Sequence, residues 1–159
     1  MDHDASLREH LRDLLSLGNA HLDFDAAVDG LPVDLRGARP PGLPHTPWRL
    51  VEHMRIAQRD ILDFCKDPGH VSPEYPDGYW PAGDAPPGPG AWERAVAAFR
   101  ADREAMVALA ADPGVDLFAR LPHGDGQTVL REALLVADHN AYHLGQLVAV
   151  RRLLGAWHE

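Results

Sequence analysis

Val136-Ala137-Asp138-His139-Asn140-Ala141-Tyr142-His143-Leu144-Gly145-Gln146-Leu147 decides how this chain is read. Val136, Leu147, Val150 and Leu154 recur at helical spacing, and His139 and His143, four residues apart, fall on the same stripe. The spacing predicts a helix that turns two imidazoles, one above the other, toward the interior of whatever it packs against. Thr128 is a suitable N-cap, and Gly155 follows the last periodic residue, so this fourth helix is expected from Thr128 to about Leu154.

Working outward, Thr46-Pro47 reads as the N-cap and first position of another helix, because proline loses nothing where the N–H has no helical partner. That helix, the second, should run from Pro47 to about Lys66, with Leu50, His53, Met54, Ala57, Ile61 and Phe64 along one face. A third should begin at Ala91-Trp92-Glu93 and end at Asp112-Pro113-Gly114, with Trp92, Val96, Phe99, Arg103, Met106 and Ala110 on one stripe. The first should follow a capping box at Ser6-Leu7-Arg8-Glu9 and extend from about Leu7 to Asp29. Residues 67–90 are dense in Pro and Gly but carry Tyr75, Tyr79 and Trp80, which favours a packed lid over a loose linker. Four amphipathic helices without a convincing alternating run make the fold class all-α, a four-helix bundle with a long Pro/Gly-rich connector between helices 2 and 3. The links favour helices 1 and 2, and helices 3 and 4, as antiparallel neighbours. A short strand pair in the loops is compatible with the pattern, and residues 1–159 form one domain.

His53 lies on the core seam of helix 2 as His139 and His143 lie on that of helix 4. An isolated HxxxH is more often a solvated face or a pair of satisfied core histidines. A third imidazole on a second apolar seam changes the balance, since three buried rings need partners and one divalent ion satisfies a nitrogen of each. Three neutral imidazoles suit Zn, Ni, Cu or Fe, and three protein ligands leave an open position, the mark of a catalytic site. No side chain is assigned as catalytic; the expected nucleophile is a water or thiol whose pKa the ion lowers.

The chain has ten histidines. His3, His10, His70 and His158 are near ends or loops and are expected to be exposed. His45 and His123 precede helices 2 and 4 and are expected on surface loops. His21, at the edge of the helix 1 seam, is a fourth ligand, a second-shell donor or, the favoured reading, a boundary residue. Asp138, Glu52 and Asp25 are candidates to orient ligand rings, although exposed helix acids are the commoner case. Arg103 interrupts the helix 3 seam, which favours an internal ion pair over substrate binding. Tyr142 lies about a third of a turn from His143, and Tyr75, Tyr79, Trp80 and Trp92 could frame an entrance or simply pack. Cys65, beside Phe64, reads as a small buried apolar residue and not as a nucleophile.

Composition narrows the partners. A formal charge of −9 and a pI near 5.5 oppose phosphate backbones and anionic lipid. A single cysteine rules out an internal disulfide and a thiolate zinc site. The acidic start, Met1-Asp2-His3-Asp4, lacks the features of a secretory signal, and no apolar run is long enough to span a bilayer, so a cytoplasmic protein is expected, with neither nucleic acid nor membrane as partner.

Leu50-Val51-Glu52-His53 on the second helix and Ala137-Asp138-His139-Asn140-Ala141-Tyr142-His143-Leu144-Gly145-Gln146 on the last resemble the DinB-like (DinB/YfiT) superfamily of bacterial metal-binding four-helix bundles. The resemblance covers nearly the whole chain, and the metal positions match at all three histidines. It implies Zn or Ni with open positions filled by water, and often a homodimer. It is less specific as to reaction, because members include thiol-dependent transferases, a mycothiol-dependent isomerase and many proteins without an assigned activity. The damage-inducible name does not denote DNA repair, in agreement with the acidic charge. The expected function is a metal-dependent enzyme acting on a small molecule, a transferase using a low-molecular-weight thiol or a hydrolase. The alternatives are a non-catalytic metal-binding or stress-related protein and a metal-free helical scaffold.

Overall fold

Asp2, not Ser6, starts the first helix. Its carboxylate accepts from the N–H groups of Asp4 and Ala5, and the helix, α1, spans His3–Leu15, so Ser6 lies one turn inside it. The expected continuation to Asp29 stops at Leu15, with Ser16 as C-cap and Gly18-Asn19, of poor helix propensity, just beyond, and Asp23 then caps a separate short helix, α2, at Phe24–Val28. The three remaining helices follow their local signals. Thr46 caps α3 (Pro47–Lys66) by accepting from the Arg49 N–H. Gly90 precedes α4 (Ala91–Ala111), and Thr128 caps α5 (Val129–Leu153). Gly155 ends α5 with φ 68°, a left-handed geometry that costs a side-chain-bearing residue about 1–2 kcal/mol.

The computed structural model describes residues 2–16 and 18–157, which are all-helical apart from loops and short 3₁₀ turns; His158, expected to be exposed, lies outside them. Among the described residues the β pairing is a single isolated bridge, Arg120 with Thr128, and no helix is long and apolar enough to cross a membrane.

The neighbours differ from the expected ones. α3 packs against α4 and α5, α1 packs against the same two, and α2 sits on α5; α4 and α5 touch lightly. Helices 1 and 2 of the sequence reading are therefore not the close pair that a short link would make them. The reason is that α1 ends at Leu15, so some thirty residues including α2 separate it from α3 and impose no adjacency.

Two apolar clusters fill the interior. One gathers Phe24, Trp48, Leu50, Met54, Trp92, Phe99 and Leu147; the other gathers Leu11, Leu15, Leu62, Met106, Leu117 and Val136. Phe24 and Phe99 are both fully buried and stack with centroids 3.9 Å apart, which fastens short α2 to α4. A buried polar chain also crosses the interior: Asn140 Nδ2 donates to Gln58 Oε1, and Gln58 Nε2 donates to the Phe99 carbonyl, each at 2.8 Å. It ties α3, α4 and α5 together next to His139, so the level of the ligand-bearing turn is fixed by hydrogen bonds as well as by packing.

Candidate metal centre

His53 projects from α3, and His139 and His143 from α5, the helix against which α3 packs. His53 Nε2 lies 3.1 Å from His143 Nε2 and 3.0 Å from His139 Nε2, and one ligand atom of each of the three residues lies within 4.8 Å of the others. Such spacings fit a single ion about 2.0–2.1 Å from each nitrogen.

Hydrogen bonding elsewhere on the rings shows why these atoms need a cation. His53 Nδ1 is 2.8 Å from the Tyr79 carbonyl, which can only accept, so the proton sits on Nδ1 and Nε2 carries a bare lone pair. His143 Nδ1 is 2.7 Å from Gln146 Oε1, which likewise places its proton on Nδ1. The two Nε2 atoms therefore face each other lone pair to lone pair. His139 can donate one proton to this cluster, which leaves the other lone pair opposed; a cation between the rings satisfies all three.

Burial also keeps the rings neutral. It pushes His139 and His143 down to about 4, each ring further disfavouring charge on its neighbours. Burial lowers His53 as well, against the opposing Tyr79 carbonyl. Neutral imidazole is the form that binds metal, so the site is deprotonated and ready well below neutrality.

The 67–90 segment covers the site. Trp80 lies face to face with the His53 ring, 3.8 Å away and within 2° of parallel, and His45 stacks on Trp80 at 4.2 Å. His45 is thus not the surface-loop residue expected; it is half-buried, and burial, with Arg49 and His53 nearby, lowers its pKa. His70 is not free on the surface either. Its Nε2 lies 2.7 Å from Oδ1 of buried Asp60, whose Oδ2 accepts from the Tyr79 hydroxyl at 2.7 Å. Burial and that carboxylate push the Tyr79 phenol up to about 12, so it stays protonated and donating. Asp60 on α3 thereby holds two points of the covering segment.

The other singled-out residues lie apart from the three rings or touch only one of them. His21 is exposed between α1 and α2, its Nδ1 on the Leu22 carbonyl. Arg103 faces Asp25 at 3.6 Å, and Asp25 also pairs with Arg100, so Asp25 serves α4 and orients no ligand ring. Glu52 makes a two-pronged pair with Arg55. Asp138 is exposed on α5, and Tyr142 is largely exposed with its ring edge on His143. His123 half-buries in its loop and contacts the Phe64 carbonyl at the end of α3, while His3 and His10 are exposed. Burial pushes the Cys65 thiol up to about 12, which leaves it inert. The groups that do orient ligands, the Tyr79 carbonyl and Gln146, escaped the sequence reading. Gln146 at i+3 from His143 was visible as a helical neighbour; a backbone carbonyl in a loop has no sequence signature.

Beside the three rings opens a cavity of about 450 Å³, lined also by Ala57, Asp60, Ile61, Tyr79, Trp80 and Leu135. An ion on three imidazoles at the edge of such a cavity could present an open position to a small molecule.

No curated protein and no solved structure matches the chain. Residues 17–147, a span that includes His53, His139 and His143, match the family model of the DinB superfamily, and the chain therefore belongs to the DinB superfamily.

Proposed function

We propose that this chain is a single-domain, four-helix-bundle enzyme, residues 1–159, that binds one divalent ion, zinc or nickel, on His53, His139 and His143 and acts on a small molecule. The observation that carries the reading is the pair of opposed Nε2 lone pairs of His53 and His143, 3.1 Å apart beside a cavity. An ion bound there supplies Lewis acidity, lowering the pKa of a water or thiol in its open position so that a nucleophile exists near neutral pH. The chain's own groups do the rest. The Tyr79 carbonyl and Gln146 hold the His53 and His143 tautomers, Trp80 shields the His53 face from water, and the cavity positions the reacting molecule.

The reaction class that fits is transfer of a low-molecular-weight thiol to an electrophile, or hydrolysis. Superfamily membership supports metal binding, and the cavity beside the rings favours turnover over storage of the ion. A cytoplasmic homodimer completes the proposal. The test is an activity screen with several thiols and with activated esters, run before and after chelation and after metal is restored. Activity that disappears with chelator, returns with metal and is missing in His139→Ala supports the enzyme. A chelator that lowers the melting temperature while every screen stays silent supports a non-catalytic metal-binding role instead.

A further inference from the structure

The cavity beside the three histidines has an unusual inventory of polar groups. Its walls are the side chains of Ala57, Ile61, Pro76, Trp80 and Leu135, and among the described residues no lysine or arginine lines it. Besides the histidines the polar side chains are Asp60, Tyr79 and Tyr75: Asp60 and Tyr79 are engaged with each other, Asp60 also with His70, and Tyr75 is an uncharged phenol that stays largely exposed to solvent. Asp60 follows His53 by seven residues on α3, two turns or about 10 Å along the axis, so it lies toward the far end of the cavity from the rings.

A ligand reaching the ion thus meets apolar walls, no cationic partner for an anionic group, and a carboxylate that would repel one. A cation fares little better, because approaching Asp60 means displacing the donors that hold the covering segment. From this we infer that the site takes an uncharged, predominantly apolar small molecule, recognised by shape and apolar contact along the walls and by the ion at its reactive end. A charged group carried into this cavity would lose hydration without a matching partner, which is the costly case. The cavity lies toward the small end of the range of about 300–1,000 Å³ for ligand pockets, which suits one ring with a short substituent.

This inference rests on the metal reading, and the experiment separates the two. Purified full-length protein is loaded with Co²⁺, whose visible spectrum reports the histidine site directly, and titrated with phenylmethanethiol, its para-carboxylate and its para-aminomethyl counterpart. Thiolate-to-cobalt charge-transfer absorption reads binding. The expected result is that the neutral thiol binds at least about tenfold more tightly than either charged one. Leu135→Arg should retain the cobalt spectrum and reverse the preference toward the carboxylate; Ile61→Arg, on the same cavity, serves if the first variant does not fold. Equal or tighter binding of a charged thiol, or no thiol binding to cobalt-loaded protein, overturns the ligand class while leaving the metal site standing. Failure to take up Co²⁺ at all overturns the metal reading and this inference with it.

Discussion

Lowering the pH from about 7.5 to about 5.5 should weaken metal binding by less than about tenfold, although imidazole ligands ordinarily make such binding far more acid-sensitive. A histidine with a pKa of about 6.5 is about nine-tenths neutral at the upper limit and about one-eleventh neutral at the lower, a loss of about tenfold in affinity per ligand. Two such rings would cost about a hundredfold and three about a thousandfold. In this protein His139 and His143 are held at about 4 by burial and by each other's proximity. A ring with that pKa is still about 97% neutral near pH 5.5, so protons compete with metal there by only a few per cent. Burial lowers His53 too, so its contribution is less than the tenfold of an ordinary ring. The expected total loss is below about tenfold, with affinity collapsing only as the pH approaches about 4. Competition titration against a chelator of known proton affinity, at several pH values with circular dichroism confirming the fold, measures this. A loss of about a hundredfold or more by pH 5.5 would mean that at least two of the three rings titrate as ordinary histidines. The same depressed pKa values have a signed consequence for metal-free protein. Between about 6.5 and about 4 the unfolded chain binds protons that the folded chain does not, so stability falls as the pH drops through that window and is flat above it.

Three substitutions test the supports. Gln146→Leu removes the acceptor for His143 Nδ1–H and should weaken metal binding about 10–100-fold with little change in melting temperature, read by the same competition titration. Arg151, almost fully buried, donates to the carbonyls of Ala27 and Ala156; Arg151→Met should lower unfolding free energy by about 2–4 kcal/mol in urea melts, because both carbonyls lose a charged donor. Phe99→Ala should cost about 3–5 kcal/mol by the same measurement, since the ring is fully buried against Phe24.

Local chemistry made most of the architecture legible in the sequence. Thr46-Pro47 before α3 and Thr128 and Gly155 around α5 are hydrogen-bonding or backbone instructions that act within a few residues, and both helices obey them. The first helix misled because Leu7, Leu11, Leu14, Leu15 and Leu22 carry the helical period across Gly18-Asn19, where the backbone does not follow. The helix neighbours differ for the same reason, since the link from Leu15 to Pro47 is long. At the site, His53, His139 and His143 were legible because a helical period tells which face is buried. His45, His70 and Asp60 were not, because their partners, Trp80 and Tyr79, come from a loop whose path no periodicity encodes.

The most direct measurement is the metal content of protein purified without a histidine tag, by elemental analysis, alongside His53→Ala and His143→Ala. The account predicts about one divalent ion per chain in the parent and none retained through dialysis in either variant. Parent protein that carries no ion and takes up neither zinc nor nickel when offered would contradict it.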